Sequence, residues 1–577
     1  MLKHLLLASL ATAAVIPIGG EHAFRQPNSK EPVTQPTRPL VWGDFNVLHT
    51  TDTHGWLAGH LLEANFGADW GDFVTFGQFL RQKARKEHRD LIVVDTGDRH
   101  DGNGLADASD PTGVYAERIF NYGDYDLVTI GNHELYRGHI GLQDRKIVGK
   151  HFGERYVVSN VEVLDPTNEW VSMGHKYRNF TTEGGRRVLG LGFLFDFDGN
   201  DKIVFKVTPV ASEIQKQWFQ DVLQTIEYYD AVVIIGHIPV RDSPEFPILF
   251  DAIRKAHPTI PILMFGGHSH IRDFRVYDKN AAALEAGRYC ETIGWASADL
   301  EDVGDDGLSF SRSYIDFNTN SLAFHAGVPH DKFTSHLGRQ ASSDITGARA
   351  SLNLDQRLAC IPQTYYTDRA PFPSSKSIYT LFEDHILNLL EPSLVDRSNV
   401  PRYTLLNTGA VRFDMFKGHY TKDSGYIVSP FANKWVYIKR VPKHVADGIL
   451  PVINQEDKVV ASHTRMLSQV ASEEAHAESV HSKGYHTFDD LGDEGDDTKH
   501  IPWKFYPLPN AIQAKRNVTD TTTHVDLVFH DFMAPFVAKA LKKLGHQQAF
   551  KVKPYGGKHI IELIPMHFGS PSSEQCP

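Results

Sequence analysis

The sequence has 577 residues, of which 41% are hydrophobic and 23% are charged, with a formal net charge of −12. The chain is too long for one ordinary hydrophobic core, and its composition is globular, so we expect two domains with additional segments. The negative charge argues against a surface that binds nucleic-acid polymers or anionic membranes. It is compatible with a phosphate substrate, because bound metal cations supply positive charge locally.

The N-terminal segment has the pattern of a secretory signal peptide. Residues 1–20 begin with polar residues, continue with an apolar run from Leu5 to Ile18, and contain small residues suited to cleavage. The run is short for a membrane anchor, which is the alternative, and residues 21–38 are polar and proline-rich. We therefore predict a chain without a membrane span after signal removal, either secreted or in the vacuolar lumen.

Cysteine usage and glycosylation sequons agree with a secretory route. Cys290, Cys360 and Cys576 are too few for a disulfide framework. In an oxidising compartment they allow one bridge and one free thiol, and the sequence does not indicate which pair forms. Asn179-Phe-Thr and Asn517-Val-Thr are N-glycosylation sequons, which are consistent with a secreted glycoprotein.

From about Asp44 to His270, short apolar segments alternate with helical stretches such as Phe73–Glu87 and Ala211–Tyr228. The apolar segments are mostly β-branched and bounded by Gly, Asn or Asp, which is typical of buried strands. The alternation predicts an α/β-layered core for a domain at residues 40–330. In chain order the predicted strands are Phe45–His49, Leu91–Asp95, Leu127–Ile130, Tyr156–Ser159, Val188–Phe193, Ala231–Ile235 and Ile262–Phe265.

A second region begins near Arg339, and we predict a domain at residues 340–568. Ser377–Leu390 and Asp526–Leu544 are predicted helices, the second interrupted or kinked by its proline. Residues 463–500 are rich in Ser, His, Glu, Asp and Gly and have too few apolar residues to pack, which predicts a disordered acidic insertion. Closing a substrate between the two domains requires a flexible hinge near Arg339.

Five polar motifs follow directly after predicted strands of the first domain. In open α/β sheets ligands bind at the carboxyl ends of strands, so these distant residues converge on one edge. Histidine nitrogens and aspartate oxygens suit a pair of divalent cations, and glycines before four of the motifs allow sharp turns. Each motif alone is more often a turn or a cap, but the ordered set favours a metal centre. The motifs are Asp52-Thr-His54, Gly97-Asp98-Arg-His-Asp101, Gly131-Asn132-His133-Glu134, Gly236-His237 and Gly267-His268-Ser-His270.

This order of motifs resembles the calcineurin-like metallophosphoesterase superfamily over roughly Asp44–Leu322. The resemblance implies an α/β-layered sandwich that holds two divalent metal ions, for which Zn, Mn, Fe and Co are all suitable. It also implies that Asp98 bridges the ions and that a hydroxide between them attacks phosphorus in line. The other implied ligands are Asp52, His54 and His270 for one ion and Asn132, His237 and His268 for the second.

The resemblance further implies that His133 contacts the phosphoryl oxygen or protonates the leaving group. In the branch of secreted nucleotidases an aspartate three residues later orients this histidine, whereas this chain has Tyr136 there. Asp101 matches the position that the protein-phosphatase branch uses. We therefore predict that Asp101 orients His133; the alternative is that Asp101 only caps the following turn.

The second region resembles the C-terminal α+β domain of the 5'-nucleotidase branch. The stretch Asn407-Thr-Gly-Ala-Val-Arg412 is similar to that branch's Asn-Gly-Gly-x-x-Arg, and Ser-Pro-Phe431-Ala-Asn is similar to its Leu-Pro-Phe-Gly-Asn. The resemblance implies that Asn407 and Arg412 contact a nucleoside and that Phe431 stacks on the base. A β-rich scaffold without a substrate role is the alternative for this stretch.

Two parts of the expected nucleotide pocket have no clear counterpart in the sequence. The branch's late Gly-Gly-Asp-Gly segment, which carries a second stacking aromatic, is absent. Phe529 or Phe532 can substitute for that aromatic or belong to the core. Arg357 lies in about the region of an upstream substrate-binding arginine, but no motif around it supports the match.

These features together predict a dimetal hydrolase of phosphate monoesters, with nucleotides as substrates and a role in nucleotide catabolism. The expected partner is a small phosphate ester, not a nucleic-acid polymer. One alternative is a phosphodiesterase that acts on cyclic nucleotides or nucleotide sugars. Another is a non-catalytic protein that binds metals through its 31 histidines, although a complete ligand set argues for an active enzyme.

Overall fold

A computed structural model describes residues 26–301, 307–456, 482–483, 488–489, 494–501, 503–546, 551–569 and 576. The predicted signal peptide at residues 1–20 and most of the predicted insertion at 463–500 lie outside these residues. Within the part that is described, no helix is both long and apolar enough to cross a membrane.

Two β-sheets pack face to face in the N-terminal domain, with a shared core that includes Val47, Val94, Val233 and Phe265. The central strands of each sheet are parallel, so their carboxyl ends lie at one edge. In spatial order the first sheet consists of Phe310–Asp316, Thr292–Ala298, Phe45–Thr50, Asp90–Asp95 and Leu127–Val128. The second consists of Phe488–Asp489, Ile271–Asp278, Ala281–Ala286, Ile262–Phe265, Ala231–His237, Arg187–Leu194 and Tyr177–Thr181.

Helices cover the outer faces of the two sheets. Trp70–Lys86 begins with a capping box, in which Asp69 accepts hydrogen bonds from the Gly71 and Asp72 amides and Asp72 bonds back to the Asp69 amide. The predicted helix Ala211–Tyr228 is divided, because Lys216 is extended. The helices of this domain are Trp70–Lys86, Gly104–Asp107, Val114–Phe120, Gly138–Asp144, Lys150–Phe152, Val210–Glu213, Gln217–Gln224, Glu245–Ala256 and Thr319–Ala326.

The helix His336–Ser351 connects the two domains. It packs closely on Trp70–Lys86: a Cβ at Gly71 would lie 2.2 Å from the carbonyl oxygen of Gly338. Arg339, near which a closing motion of the two domains would need a hinge, lies within this packed helix.

A five-stranded sheet with an apolar cluster on each face forms the C-terminal domain. Leu405 and Leu406 are consecutive in one strand and enter opposite clusters, as the two-residue period of a strand requires. The strands in spatial order are Ala511–Arg516, Arg402–Asn407, His524–His530, Trp435–Pro442 and Val552–Pro554, and Arg357–Ile361 pairs separately with Gly418–Thr421. The helices are Ile378–Leu381, continued by the π-helix Phe382–Ile386, and Lys422–Val428, Lys443–Gln455, Ala534–Lys543 and Ile560–Phe568.

Two local predictions are wrong because tertiary pairing overrides local pattern. The first part of the predicted helix Asp526–Leu544 belongs to the central strand His524–His530. The helix begins only at Ala534. Its proline lies in the first turn, where a missing amide proton is tolerated. The predicted strand Tyr156–Ser159 forms only isolated bridges, including one between Tyr156 and Val128.

Part of the predicted disordered insertion is ordered in the structure. Residues 494–501 lie against the N-terminal domain, and Asp497 is completely buried there. Its Oδ2 lies 3.0 Å from Nε2 of His325, and its carbonyl oxygen accepts hydrogen bonds from the amides of Thr37 and Arg38. The prediction of a solvated segment is wrong for these residues, because partners distant in sequence satisfy the aspartate.

The one disulfide bond recorded in the described residues joins Cys360 to Cys576, with a Cα–Cα distance of 5.7 Å. It fastens residue 576 to the strand Arg357–Ile361. Cys290 is buried and has a free thiol. One bridge and one free thiol agree with the cysteine count.

Candidate metal centre

The five motifs lie at one edge of the N-terminal domain, and their backbone is strained. Positive φ angles between 45° and 78° occur at five of the seven predicted ligands. Such angles are costly for residues with a Cβ and persist where the surrounding structure enforces them, often at functional sites. The five are Asp52, His54, Asp98, His268 and His270.

Asp52, His54, Asp98 and His270 form the first cluster of potential ligands, and all four are buried. One potential ligand atom from each lies within 4.8 Å of the others. Nε2 of His270 is 3.2 Å from Oδ1 of Asp52 and 3.2 Å from Nε2 of His54. Nε2 of His54 is 3.8 Å from Oδ2 of Asp98.

Asp98, His237 and His268 form the second cluster, which shares Asp98 with the first. Nε2 of His237 lies 3.1 Å from Oδ2 of Asp98 and 3.1 Å from Oδ1 of Asn132. The structure thus brings all seven predicted ligands together, with Asp98 between two groups of nitrogen and oxygen atoms. This is the arrangement that a carboxylate bridging two cations needs.

The donor set fits two divalent cations. Oδ1 of Asp52 and Oδ2 of Asp98 are buried and have no hydrogen bond of acceptable geometry, which is unfavourable for a carboxylate oxygen. Burial raises the pKa of Asp52 to about 7, against the opposing effect of His237. Cations at this position would satisfy both oxygens and favour the ionised carboxylate.

Backbone carbonyls orient two of the histidines. The carbonyl oxygen of His100 lies 2.5 Å from Nδ1 of His54, and that of Thr96 lies 2.8 Å from Nδ1 of His237. A carbonyl only accepts hydrogen bonds, so Nδ1 is protonated in each imidazole, and Nε2 is the nitrogen that would bind a cation from the neutral ring.

Glu134 connects the two loops that carry Asp98 and Asn132, a role that the sequence did not reveal. Its Oε2 accepts hydrogen bonds from the amides of Asp98, at 3.0 Å, and Gly131, at 2.8 Å, while Oε1 accepts from the amide of Arg99 at 2.8 Å. A Cβ at Gly131 would lie 2.1 Å from Oδ1 of Asp98, so only glycine fits at this contact.

His133 lies beside the clusters, and Asp101 contacts it as predicted from the sequence. Oδ2 of Asp101 is 2.9 Å from Nδ1 of His133, and Oδ1 accepts a hydrogen bond from Arg137 at 2.5 Å. Burial acts to raise the pKa of Asp101, but its hydrogen bond with His133 and the nearby positive charges outweigh this effect and hold the pKa at about 2. Asp101 is therefore an anionic partner of His133, with Arg137 behind it.

The C-terminal domain contributes Phe431 and Arg412 to the same region. The Phe431 ring stacks on the His133 ring, with centroids 6.3 Å apart. The Arg412 guanidinium lies 5.5 Å from the centroid of Phe431. Among the described residues, Nε and Nη2 of Arg412 and Oδ1 of Asn407 are buried atoms without a hydrogen-bond partner of good geometry, although Tyr289 lies near the Arg412 guanidinium and acts to raise its pKa against the effect of burial.

The suggested substitutes for the missing parts of the pocket differ in environment. Phe529 is fully buried in the core of the C-terminal domain, which is the second of the two alternatives for this residue. Phe532 is 43% exposed. Arg357 is exposed at the start of its strand. Phe195, which sequence reasoning did not identify, stacks on the His268 ring with centroids 4.2 Å apart.

Comparison with known proteins agrees with this architecture. Residues 45–272 match the calcineurin-like phosphoesterase family, and residues 364–538 match the C-terminal domain of NAD nucleotidase. A protein from Arthroderma benhamiae, named "Secreted protein", is 37% identical over 96% of this chain and 94% of its own length.

Two solved structures share the whole two-domain fold. The 5'-nucleotidase from Candida albicans is 39% identical, superposes with a TM-score of 0.86, and is matched over 93% of this chain and 100% of its own. A 5'-nucleotidase precursor from Thermus thermophilus shows the same fold. It is 15% identical, superposes with a TM-score of 0.57, and is matched over 91% of this chain and 96% of its own. The predicted fold class is thus confirmed, and the chain belongs to the 5'-nucleotidase branch of the calcineurin-like metallophosphoesterases, which are metal-dependent phosphoester hydrolases.

Proposed function

We propose that this chain hydrolyses phosphate monoesters of nucleosides, with two divalent cations held by the two clusters that share Asp98. The single observation that carries the proposal is the meeting of both domains at one place. The metal-ligand edge and His133 of the first domain face Phe431 and Arg412 of the second, and the two rings are 6.3 Å apart. A phosphate end and a base end of one small substrate therefore have recognition groups in one cleft.

The seven clustered side chains provide the metal ligands in this proposal. Asp52, His54 and His270 hold one cation, and Asp98 belongs to both positions. The ligands of the second cation are completed by Asn132, His237 and His268. Two cations at such a site polarise phosphoryl oxygens and lower the pKa of water, which is the chemistry they supply when bound.

His133 acts on the phosphoryl group or the leaving oxygen. Its Nδ1 is occupied by Asp101, so Nε2 is the nitrogen that faces the centre, 3.9 Å from Oδ2 of Asp98. A histidine held in this way donates a hydrogen bond to a phosphoryl oxygen or a proton to the departing alkoxide. Asp101 holds the ring through Nδ1, and Arg137 fixes the carboxylate.

The nucleoside end of the substrate binds the second domain. Phe431 offers an aromatic face to a base, and the unpaired N–H groups of Arg412 bind ring nitrogens, carbonyl oxygens or ribose oxygens. Asn407 contributes a buried acceptor from the end of its strand. An aromatic face stacks on any base, so Phe431 predicts tolerance for different bases.

A hydrolysis screen tests the function. The full chain is assayed with a nucleoside monophosphate, p-nitrophenyl phosphate, a cyclic nucleotide and a nucleotide sugar, each with Zn²⁺, Mn²⁺ or Co²⁺ and with a chelator control. We expect metal-dependent turnover, fastest on the nucleoside monophosphate. Faster turnover of the diesters would assign the chain as a phosphodiesterase, and no metal-dependent turnover would refute an enzyme function.

Phe431→Leu separates nucleotide recognition from phosphate chemistry. Loss of a stacking contact worth about 1 kcal/mol raises KM for the nucleoside monophosphate roughly 5- to 10-fold. Turnover of p-nitrophenyl phosphate stays within twofold, because this substrate lacks a base. Phe324→Leu, at an exposed phenylalanine in the helix Thr319–Ala326 of the first domain, is the matched control. Equal effects of Phe431→Leu on both substrates would contradict the base-stacking role.

We also propose that the chain enters the secretory pathway. The name of the Arthroderma relative, a disulfide between Cys360 and Cys576, and exposed asparagines at both sequons, Asn179 and Asn517, support this route. Mass spectrometry of the protein from a eukaryotic host is the test. The expected result is a new N-terminus near residue 20 and glycan at one or both asparagines; an intact N-terminus without glycan contradicts it.

A further inference from the structure

Tyr136 lies three residues after His133 and contacts the face of the imidazole, not one of its nitrogens. Its ring is perpendicular to the His133 ring, with centroids 5.0 Å apart and an interplanar angle of 87°. The opposite side of Tyr136 meets Phe197 in the same geometry at 5.4 Å. Tyr136 is 38% exposed, so part of its side chain is open to solvent.

The hydroxyl of Tyr136 contacts a different residue of the same motif. Nδ2 of Asn132 donates a hydrogen bond to the Tyr136 hydroxyl at 3.1 Å, and this is the one bond that the structure records for that nitrogen. The other end of the amide, Oδ1, lies 3.1 Å from Nε2 of His237. Oδ1 therefore faces the second ligand cluster, while Nδ2 faces away from it.

The orientation of this amide matters because its two ends differ in chemistry. The oxygen has lone pairs that bind a cation, whereas the NH₂ group has two donors and no available lone pair. A reversed amide would direct protons at the second cluster and remove a ligand from it. Hydrogen bonds to the far side of a metal ligand are a general means of fixing such an orientation.

We propose that Tyr136 is a positioning residue whose hydroxyl holds the Asn132 amide with Oδ1 toward the second cation. This inference rests on the proposed dimetal function. It also accounts for the local sequence Asn132-His133-Glu134-Leu135-Tyr136. Asp101, held by Arg137, contacts His133, and Tyr136 accepts a hydrogen bond from the metal ligand Asn132.

Tyr136→Phe tests the inference, because it keeps the ring against His133 and Phe197 and removes only the hydroxyl. Metal-free full-length protein is titrated with Zn²⁺ or Mn²⁺ by calorimetry. We expect two binding events in the wild type. In Tyr136→Phe we expect one of them to weaken by about 10- to 100-fold, as for other outer contacts of metal ligands, with kcat recovering at high metal concentration.

The decisive control is the same substitution in an Asn132→Asp background. Both oxygens of a carboxylate bind cations, so amide orientation no longer matters and Tyr136→Phe should change the metal affinity less than twofold. Tyr122→Phe, which removes a hydroxyl that donates to Asp344 at 2.7 Å far from the clusters, should leave both binding events unchanged.

The outcomes distinguish this inference from the function on which it rests. Wild-type metal affinity in Tyr136→Phe would overturn the positioning role and leave the dimetal function standing. The same loss in the Asn132→Asp background would also overturn it, since the effect would then act through general destabilisation. A wild-type chain that binds no pair of cations would overturn both proposals.

Discussion

Replacing Asp101 by asparagine tests whether its carboxylate orients His133. In the structure Oδ2 of Asp101 lies 2.9 Å from Nδ1 of His133, and Arg137 binds the other oxygen. The pKa of Asp101 is held at about 2 instead of 3.8. At about 1.4 kcal/mol for each pH unit, this difference corresponds to roughly 2–3 kcal/mol of favourable interaction with the carboxylate.

If His133 uses most of this interaction in the transition state, Asp101→Asn lowers kcat by roughly 30- to 150-fold. KM and the content of bound metal should stay close to the wild-type values, because Asp101 is not one of the seven ligands. Steady-state kinetics at saturating metal and elemental analysis measure these quantities. Asp331→Asn, at an aspartate that is 62% exposed, is the control. A kcat within threefold of wild type would refute the orienting role.

Three further predictions concern the carboxylate of Asp98, the disulfide bond and His500. Asp98→Asn should remove both cations, because its carboxylate belongs to both clusters; elemental analysis that finds two retained ions would contradict this. Replacing Cys360 and Cys576 by alanine should lower the free energy of unfolding by about 2–4 kcal/mol in denaturant titrations, since the bond closes a long loop of sequence separation 216; an unchanged midpoint would contradict it. Burial acts to lower the pKa of His500, but the nearby Asp316 raises that pKa above 6.5. Protonation of His500 therefore stabilises the folded state fully below pH 6.5, and this stabilisation is lost as the pH rises through the pKa of the folded state. His500→Gln should flatten that part of the stability profile, and an unchanged profile would count against the pair.

The N-terminal motifs were predictable because their chemistry is local. Each is a short polar segment directly after an apolar strand, and parallel strands place their carboxyl ends at one edge. Five separated segments could therefore be assigned to one site, although no segment alone was informative. The contact of Asp101 with His133 was predicted from the resemblance to the protein-phosphatase branch, and the two side chains lie 2.9 Å apart in the structure.

The errors occurred where distant contacts decide the local structure. Residues 526–530 are compatible with a helix, but they lie between two strands of a sheet and become its central strand. The residues around Asp497 have the composition of a solvated loop, but the Asp497 side chain contacts His325, which is 172 residues away in the sequence. A local pattern contains no information about which remote partner a segment will find.

Residue types, short spacings and the resemblance they support predicted the candidate ligands, the α/β alternation and a second nucleotidase-like region. How the candidate ligands are supported depends on the tertiary structure. The contacts of Glu134 with two loops, of Tyr136 with Asn132, and of Phe431 with His133 across the domain boundary arise from side-chain directions in the folded chain. Such directions are set by packing against the whole fold, which no single motif encodes.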